Sequence, residues 1–130
     1  MTPHTFPVRV YYEDTDFSGN VYHAAYLHFF ERARTEFLRA EGIHHSELIK
    51  EGIAFAVRSM QIEFIRAAHI DDELVVTTSL VEMSGARFVL DQSIARNGEA
   101  IATARVLAVA IRTNGKPARL PRALLAAFSN

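Results

Sequence analysis

A single long stretch of apolar residues at helical spacing constrains the fold more than any other feature of this sequence. From about Val21 or Tyr22 to Ala40, apolar side chains recur at alternating steps of four and three residues, which places them on one face of an α-helix. Gly42 stands where a left-handed residue would end that helix. The apolar face comprises Tyr26, Phe30, Ala33, Phe37 and Ala40, and it is widened by Leu27, Phe29 and Leu38. A face this wide and aromatic predicts a helix around which other elements wrap.

Most of the remaining sequence has the alternation and the β-branched content of strands. One strand is predicted before the helix and four after it. They are Val8–Tyr12, then Ser59–Phe64 with a start as early as Ala54, Leu74–Met83, Arg87–Arg96 and Ala100–Ile111. The last of these is so rich in Ala and Val that we expect it to be buried on both faces.

Turn and helix signals complete the pattern. Asn97-Gly98 is the strongest hairpin signal, because both residues tolerate the positive φ of a type I′ turn. Short helices are predicted over His44–Lys50 and after Pro121, the second of them carrying Leu124, Leu125 and Phe128. Strands segregated from helices predict an α+β fold, in which one twisted antiparallel sheet curls around the long helix. Because such a sheet has open edges, we expect it to pair with a second copy of the chain.

Composition and charge exclude several classes of protein. A chain of 130 residues with 49% hydrophobic and 22% charged residues is expected to form one globular domain, residues 1–130. The formal net charge of −1 argues against a nucleic-acid-binding protein. The absence of cysteine excludes disulfides, thiolate metal sites and a cysteine nucleophile, and it suits a reducing compartment. No signal-peptide pattern or membrane-helix run is present, so we expect a cytoplasmic protein.

The loop before the long helix carries the strongest candidates for chemistry. No nucleophile elbow, phosphate loop or zinc-protease motif occurs, and the six histidines do not fall at metal-ligand spacings, so we expect no metal or cofactor. Asp14 and Asp16 stand between an apolar strand and an apolar helix, although they are also consistent with simple turn and capping residues. Gly19 lets a ligand approach the backbone, and the free N–H groups at the helix start can stabilise an oxyanion.

The same loop resembles a known family. The runs Tyr12–Tyr26 (YEDTDFSGNVYHAAY) and Phe30–Glu36 (FERARTE) are similar to the 4-hydroxybenzoyl-CoA thioesterase branch of the hotdog superfamily. Within that branch, they most resemble the bacterial acyl-CoA thioesterases associated with the Tol–Pal cell-envelope system. The similarity continues through Ala54–Met60 and Leu120-Pro121, so it covers nearly the whole chain.

This resemblance implies a hotdog fold, in which a five-stranded antiparallel sheet wraps a central helix, and an acyl-CoA thioesterase activity. It also implies a homodimer or homotetramer with active sites at the subunit boundary. Asp16 matches the catalytic carboxylate, acting as nucleophile or as general base, and His23 matches a position near the thioester. The family's oxyanion donor is a backbone N–H that falls near His23. Asp14, Gly19 and Tyr22 match positions that support the loop.

Coenzyme A carries phosphates that require cations at the mouth of the site. Candidates at strand ends and in the late loop are Arg58, Arg87, Lys116, Arg119 and Arg122, each of which is also consistent with an ordinary solvated charge. Two residues alter the expected pocket. Asn20 stands where relatives often carry a smaller or apolar residue, and Phe17 is placed to narrow the acyl site.

Two other functions fit the same fold. A non-catalytic protein that binds acyl-CoA or acyl carrier protein would not need an ionised carboxylate beside a thioester. An acyl-CoA hydratase would need an Asp–His acid–base pair in a different loop arrangement, which the sequence lacks. The acyl group stays open among short aliphatic, longer aliphatic and aromatic groups, with short or medium aliphatic acyl-CoA favoured by analogy. Acyl carrier protein is an alternative thiol carrier, and a peripheral link to envelope or phospholipid-synthesis proteins is implied by the family alone.

Overall fold

The structure, a computed structural model, describes residues 2–129 and contains five strands and three α-helices in that range. In chain order these are β1 His4–Arg9, α1 His23–Ala40, α2 His45–Lys50, β2 Ile53–Phe64, β3 Glu73–Ser84, β4 Arg87–Arg96, β5 Glu99–Arg112 and α3 Arg122–Ser129. A short 3-10 helix, Tyr12–Asp14, lies between β1 and α1. Within the described residues, no helix combines the length and the hydropathy needed to cross a bilayer.

All five strands form one antiparallel sheet in the order β1-β3-β4-β5-β2, which confirms the predicted α+β class and the five-stranded sheet. β1 and β2 are the edge strands, so one side of each is open to pairing. β2 and β3 follow one another in sequence but are not neighbours in the sheet. The chain therefore crosses between them through residues 65–72, which we name the crossing segment.

Helix α1 packs on the sheet through the predicted apolar face. Phe29, Phe30, Ala33 and Phe37 are fully buried and belong to one hydrophobic cluster with inward-facing side chains of β3, β4 and β5. Burying an aromatic side chain of this size stabilises the fold by about 1.5–3 kcal/mol. The prediction is wrong at the margins of the face, where Ala40 and Leu27 are exposed. Ala40 is the last helical residue, and Leu27 lies outside the row of buried residues.

The first strand begins and ends earlier than predicted. It spans His4–Arg9 instead of Val8–Tyr12, because the chain turns immediately afterwards. The Asp14 carboxylate accepts the backbone N–H of Tyr11 at 2.8 Å, and this bond closes the 3-10 turn. Tyr11 and Tyr12 are consequently exposed side chains of the loop that precedes α1.

The last strand is less buried than predicted, and the last helix is buried on one side only. Along β5 the buried residues alternate with half-buried or exposed ones, such as Val106 beside the exposed Arg105, so only one face is covered within this chain. In α3, Leu124 is fully buried, whereas Leu125 and Phe128 are exposed. Both elements therefore keep apolar residues on a face that this chain covers only in part.

The hairpin turn between β4 and β5 has the predicted conformation, with φ of 52° at Asn97 and 79° at Gly98. We expect Gly98→Ala to lower the free energy of unfolding by about 1–2 kcal/mol, because an L side chain is strained at positive φ. A Cβ at this position meets no atom within 4 Å, so the loss would come from the backbone alone. Urea denaturation measures it. The control is Asn97→Gly, which replaces a side chain at positive φ by glycine in the same turn. If this control lowered the free energy of unfolding as much as Gly98→Ala does, the explanation would be contradicted.

Candidate active site

A groove of about 340 Å³ lies where the loop before α1, the start of α1 and the crossing segment meet. Three of the predicted site residues, Asp16, Tyr22 and His23, line this groove. The opposite wall is formed by Phe64 at the end of β2 and by residues 65–67 of the crossing segment. The structure therefore brings the predicted carboxylate and the start of the helix to one concave surface.

A tight turn holds Asp16 at the edge of the groove. The backbone N–H of Asp16 donates to the carbonyl of Asn20 at 2.9 Å, and the N–H of Gly19 donates to the carbonyl of Asp16 at 3.0 Å. Gly19 has a φ of 83°, which glycine adopts without strain. Thr15 and Val21 form an isolated antiparallel bridge at the base of the turn. The loop is thus closed on itself, with Asp16 between its base and its tip.

The Asp16 carboxylate is exposed and is held in its ionised form. Ser18 donates both its hydroxyl and its backbone N–H, the latter at 2.8 Å, to Oδ1 of Asp16. These bonds, the hydroxyl first, hold the pKa of Asp16 below its ordinary value, because they favour the charged carboxylate. A backbone bond from Asn20 lowers the pKa further, and Oδ2 receives neither bond from Ser18.

The start of α1, whose first residue His23 lines the same groove, carries unpaired N–H groups. The helix begins at His23, and the preceding residue Tyr22 makes no side-chain capping bond. The N–H of Tyr22 donates to the carbonyl of Asp14 at 2.9 Å. In contrast, the N–H groups of His23 and Ala24 have no backbone acceptor within residues 2–129. Together with the positive end of the helix dipole, these two groups form a site for a negatively charged oxygen.

The other predicted loop residues take different positions relative to the groove. The ring of His23 packs edge-on against Phe64, with 5.0 Å between centroids, so it spans the groove to the opposite wall. Tyr22 is exposed at the mouth. Asp14 does not line the groove, because its carboxylate is turned back toward the N–H of Tyr11. Among the described side chains, no group of three or more potential ligands is placed to hold a metal ion.

The predicted phosphate-binding residues lie elsewhere in this chain. Arg58 and Arg87 line a second groove, of about 450 Å³, together with Gly115 and Pro117, the neighbours of Lys116. Arg58 and Phe64 are six positions apart along β2, a span of about 20 Å at strand spacing. Arg119 and Arg122 are exposed and line neither groove. Within residues 2–129, none of these five cations forms a salt bridge.

Sequence reasoning missed one wall of the groove and misplaced one residue. Tyr26 was expected only in the core, yet it also lines the groove, and its hydroxyl accepts the N–H of Ala68 at 3.0 Å. Its position one helical turn after Tyr22 was a usable signal. Residues 65–67 carry no motif, because only the tertiary fold brings them there. Phe17 is fully exposed and does not line the groove of its own chain, so it does not narrow that groove.

Comparison with known proteins matches this chain to thioesterases in both sequence and structure. A sequence profile of the thioesterase-like superfamily matches residues 10–128. The acyl-CoA thioesterase YbgC of Haemophilus influenzae is 44% identical over 126 residues, which cover 95% of this chain and 93% of that protein. A probable thioesterase from Bartonella henselae superposes with a TM-score of 0.87 and 46% identity, covering 92% of this chain and 100% of the other. Slr0204, a 1,4-dihydroxy-2-naphthoyl-CoA thioesterase from Synechocystis, superposes with a TM-score of 0.91 and 28% identity, covering 99% and 97%.

The fold and these matches define the class of protein. The chain belongs to the thioesterase-like superfamily and has the hotdog fold that its sequence motifs implied. It is a thioester-hydrolysing enzyme, as its similarity to the curated relatives over nearly its whole length shows.

Proposed function

We propose that this enzyme hydrolyses acyl-CoA thioesters to a free acid and coenzyme A, with the carboxylate of Asp16 as the catalytic group. The observation that carries the proposal is one groove lined by an ionised carboxylate and by His23, the first residue of a helix whose first two N–H groups are unpaired. Acyl-CoA as the class of substrate is supported by similarity to acyl-CoA thioesterases, among them that of Haemophilus influenzae.

The groove supplies what acyl transfer requires. The thioester carbonyl carbon would lie between Asp16 and the start of α1, with its oxygen toward the N–H groups of His23 and Ala24. As the tetrahedral intermediate forms, negative charge develops on that oxygen and these donors stabilise it. Loss of one such donor typically raises the barrier by about 3–4 kcal/mol. The thiolate of coenzyme A is a good leaving group, so a carboxylate suffices where a poorer leaving group would require a stronger nucleophile.

Asp16 has two balanced routes to the products. As a nucleophile, its Oδ2 bonds to the carbonyl carbon, the C–S bond breaks to release the thiolate, and water then hydrolyses the mixed anhydride. As a general base, Asp16 takes a proton from water while the water oxygen attacks the carbonyl carbon, and the thiolate leaves afterwards. Both routes use the ionised form of the carboxylate, which the Ser18 bonds favour.

Measuring free thiol released from a series of acyl-CoAs tests the proposed function. The series should run from short to long aliphatic chains and include benzoyl-CoA and one acyl-acyl carrier protein. We expect short or medium aliphatic acyl-CoAs to give the highest kcat/KM. An aromatic optimum would instead agree with the likeness to Slr0204. Binding of acyl-CoA without hydrolysis of any member would favour the alternative, a non-catalytic acyl-CoA or acyl carrier protein binder.

The acid limb of the pH profile tests the state of Asp16. Because Ser18 lowers the pKa of Asp16, kcat/KM should persist below the ordinary carboxylate range and fall as the pH drops through the lowered pKa. Ser18→Ala removes the hydroxyl bond but keeps the backbone bond, so the limb should move to higher pH. Ser46→Ala, an exposed change on α2, should leave the limb in place. A limb that does not move in Ser18→Ala would contradict this explanation.

The binding of coenzyme A is proposed to involve a second subunit. Antiparallel pairing sets the start of one strand against the end of the other. Two copies paired along the open edge of β2 over the range 58–64 would bring Arg58 of one copy opposite Phe64 and the Asp16 groove of the other. Such a homodimer, or a tetramer made from two of them, would supply phosphate-binding cations from Arg58, Arg87, Lys116 and Arg119.

The cellular setting is also part of the proposal. A cytoplasmic location is supported by the cysteine-free sequence, which has no need of an oxidising compartment. Peripheral contact with envelope or phospholipid-synthesis proteins is supported by family resemblance alone.

A further inference from the structure

The crossing segment is bound to the loop that carries Asp16. The N–H of Val21 donates to the carbonyl of Ala68 at 2.8 Å, and the N–H of Ile70 donates to the carbonyl of Gly19 at 3.0 Å. The residues between these partners form an isolated antiparallel bridge. The loop is therefore one side of a two-stranded ladder whose other side is 68–70. Movement of the crossing segment would move the loop and the start of α1 with it.

One guanidinium binds the crossing segment at two points, in addition to the backbone bonds that join residues 65 and 66 to Ile101 and residues 71 and 72 to Val10. Arg96, the last residue of β4, donates through the same nitrogen to Oδ2 of Asp72 at 2.7 Å and to the carbonyl of Ala67 at 3.2 Å. Asp72 Oδ2 also accepts the backbone N–H of His69 at 2.8 Å. The two ends of the segment that pairs with the loop are thus fixed to one side chain.

The Arg96–Asp72 ion pair is better shielded than an ordinary surface pair. The two side chains are 22% and 21% exposed, whereas those of the Arg105–Asp91 pair on the outer face of the sheet are 60% and 43% exposed. Burial alone would raise the pKa of Asp72, but the bonds from Arg96 and from the His69 N–H outweigh it and lower the pKa. Asp72 therefore carries its charge at neutral pH.

We infer that Arg96, acting with Asp72, is a positioning residue for Asp16, although neither residue lines the groove. It acts through the crossing segment, which holds the loop and the helix start in register with each other. The inference rests on the proposed role of Asp16. Since a displacement of reacting groups by about 1 Å can slow a reaction about 100-fold, loosening this anchor should lower kcat more than it changes substrate affinity.

The test compares Arg96 with a matched arginine. Arg96→Met removes both anchoring bonds, and we expect kcat to fall by about 10- to 100-fold while KM changes less than about threefold. Arg96→Lys keeps a cation within reach of Asp72 and should restore part of that loss. Arg105→Met breaks an ion pair of similar length that touches neither the loop nor the crossing segment, and kcat should stay within about twofold of the parent. Parental kcat in Arg96→Met, a loss carried by KM alone, or an equal loss in Arg105→Met would overturn the inference.

Amide hydrogen exchange supplies a readout that does not depend on turnover. The N–H groups of Val21 and Ile70 should exchange faster in Arg96→Met than in the parent, and at the parental rate in Arg105→Met. If Arg96→Met does not fold, Asp72→Asn gives the same comparison, because it keeps an oxygen for the His69 N–H but loses the charge. Unchanged exchange at Val21 would refute the anchoring itself. Faster exchange in Arg96→Met, together with a parent protein that hydrolyses no acyl-CoA, would refute the proposed function and leave the anchoring intact.

Discussion

Asp16→Asn is expected to lower kcat for acyl-CoA hydrolysis by roughly 10²- to 10⁴-fold, because an amide neither attacks a thioester nor accepts a proton from water. The amide oxygen can still accept the bonds from Ser18, so the loop should keep its conformation. Asp16 is exposed, and its removal breaks no salt bridge within the described residues. Melting temperature and elution volume on size exclusion should therefore match those of the parent.

Glu13→Gln is the matched control for this variant. Glu13 is an exposed acid in the same loop, it does not line the groove, and its change to an amide alters charge by the same amount. Its kcat should stay near the parental value. Parental hydrolysis by Asp16→Asn would show that another group performs the chemistry, whereas equal losses in both variants would point to the net charge of the loop.

Phe37→Ala is expected to lower the free energy of unfolding by about 3–5 kcal/mol, because it leaves a cavity beneath α1. Phe37 is fully buried and meets the ring of His4 edge-on, with 6.5 Å between centroids. Small domains are stable by only about 5–15 kcal/mol, so the variant should unfold at much lower urea concentration than the parent. Phe17→Ala makes the same chemical change at a fully exposed position and should shift stability by less than about 0.5 kcal/mol. Similar losses in both variants would contradict the wrapped-helix core.

Helix α1 and the strands were predictable because their signals are local. The buried positions Phe30, Ala33 and Phe37 recur at helical spacing, and Asn97-Gly98 specifies its own turn through backbone conformation. The wrong predictions concern positions where the local sequence pattern continues but the tertiary structure no longer buries the residue or extends the strand. Ala40 continues the apolar spacing after the sheet has ceased to cover the helix, and the capping bond of Asp14 ended β1 before the apparent strand pattern did.

The candidate site was predictable only in part. Asp16 and His23 belong to one continuous run of sequence, so a local motif contains both of them. The other wall comes from residues 64–67, and its anchor Arg96 comes from the end of β4. No local pattern relates these positions, because their proximity depends on the strand order β1-β3-β4-β5-β2. The hydrogen bond from the Ala68 N–H to the Tyr26 hydroxyl depends on that order in the same way.

Strand β2 contributes to the sheet, to the groove and to an open edge at the same time. One of its sides bonds to β5, its C-terminal residue Phe64 contributes a wall of the groove, and its other side is a free edge. With the proposed pairing of two copies along this edge, substitutions in β2 would alter folding, self-association and turnover together. Selection on any one of these properties constrains the other two, so this strand should tolerate fewer substitutions than its open position in the sheet would lead one to expect.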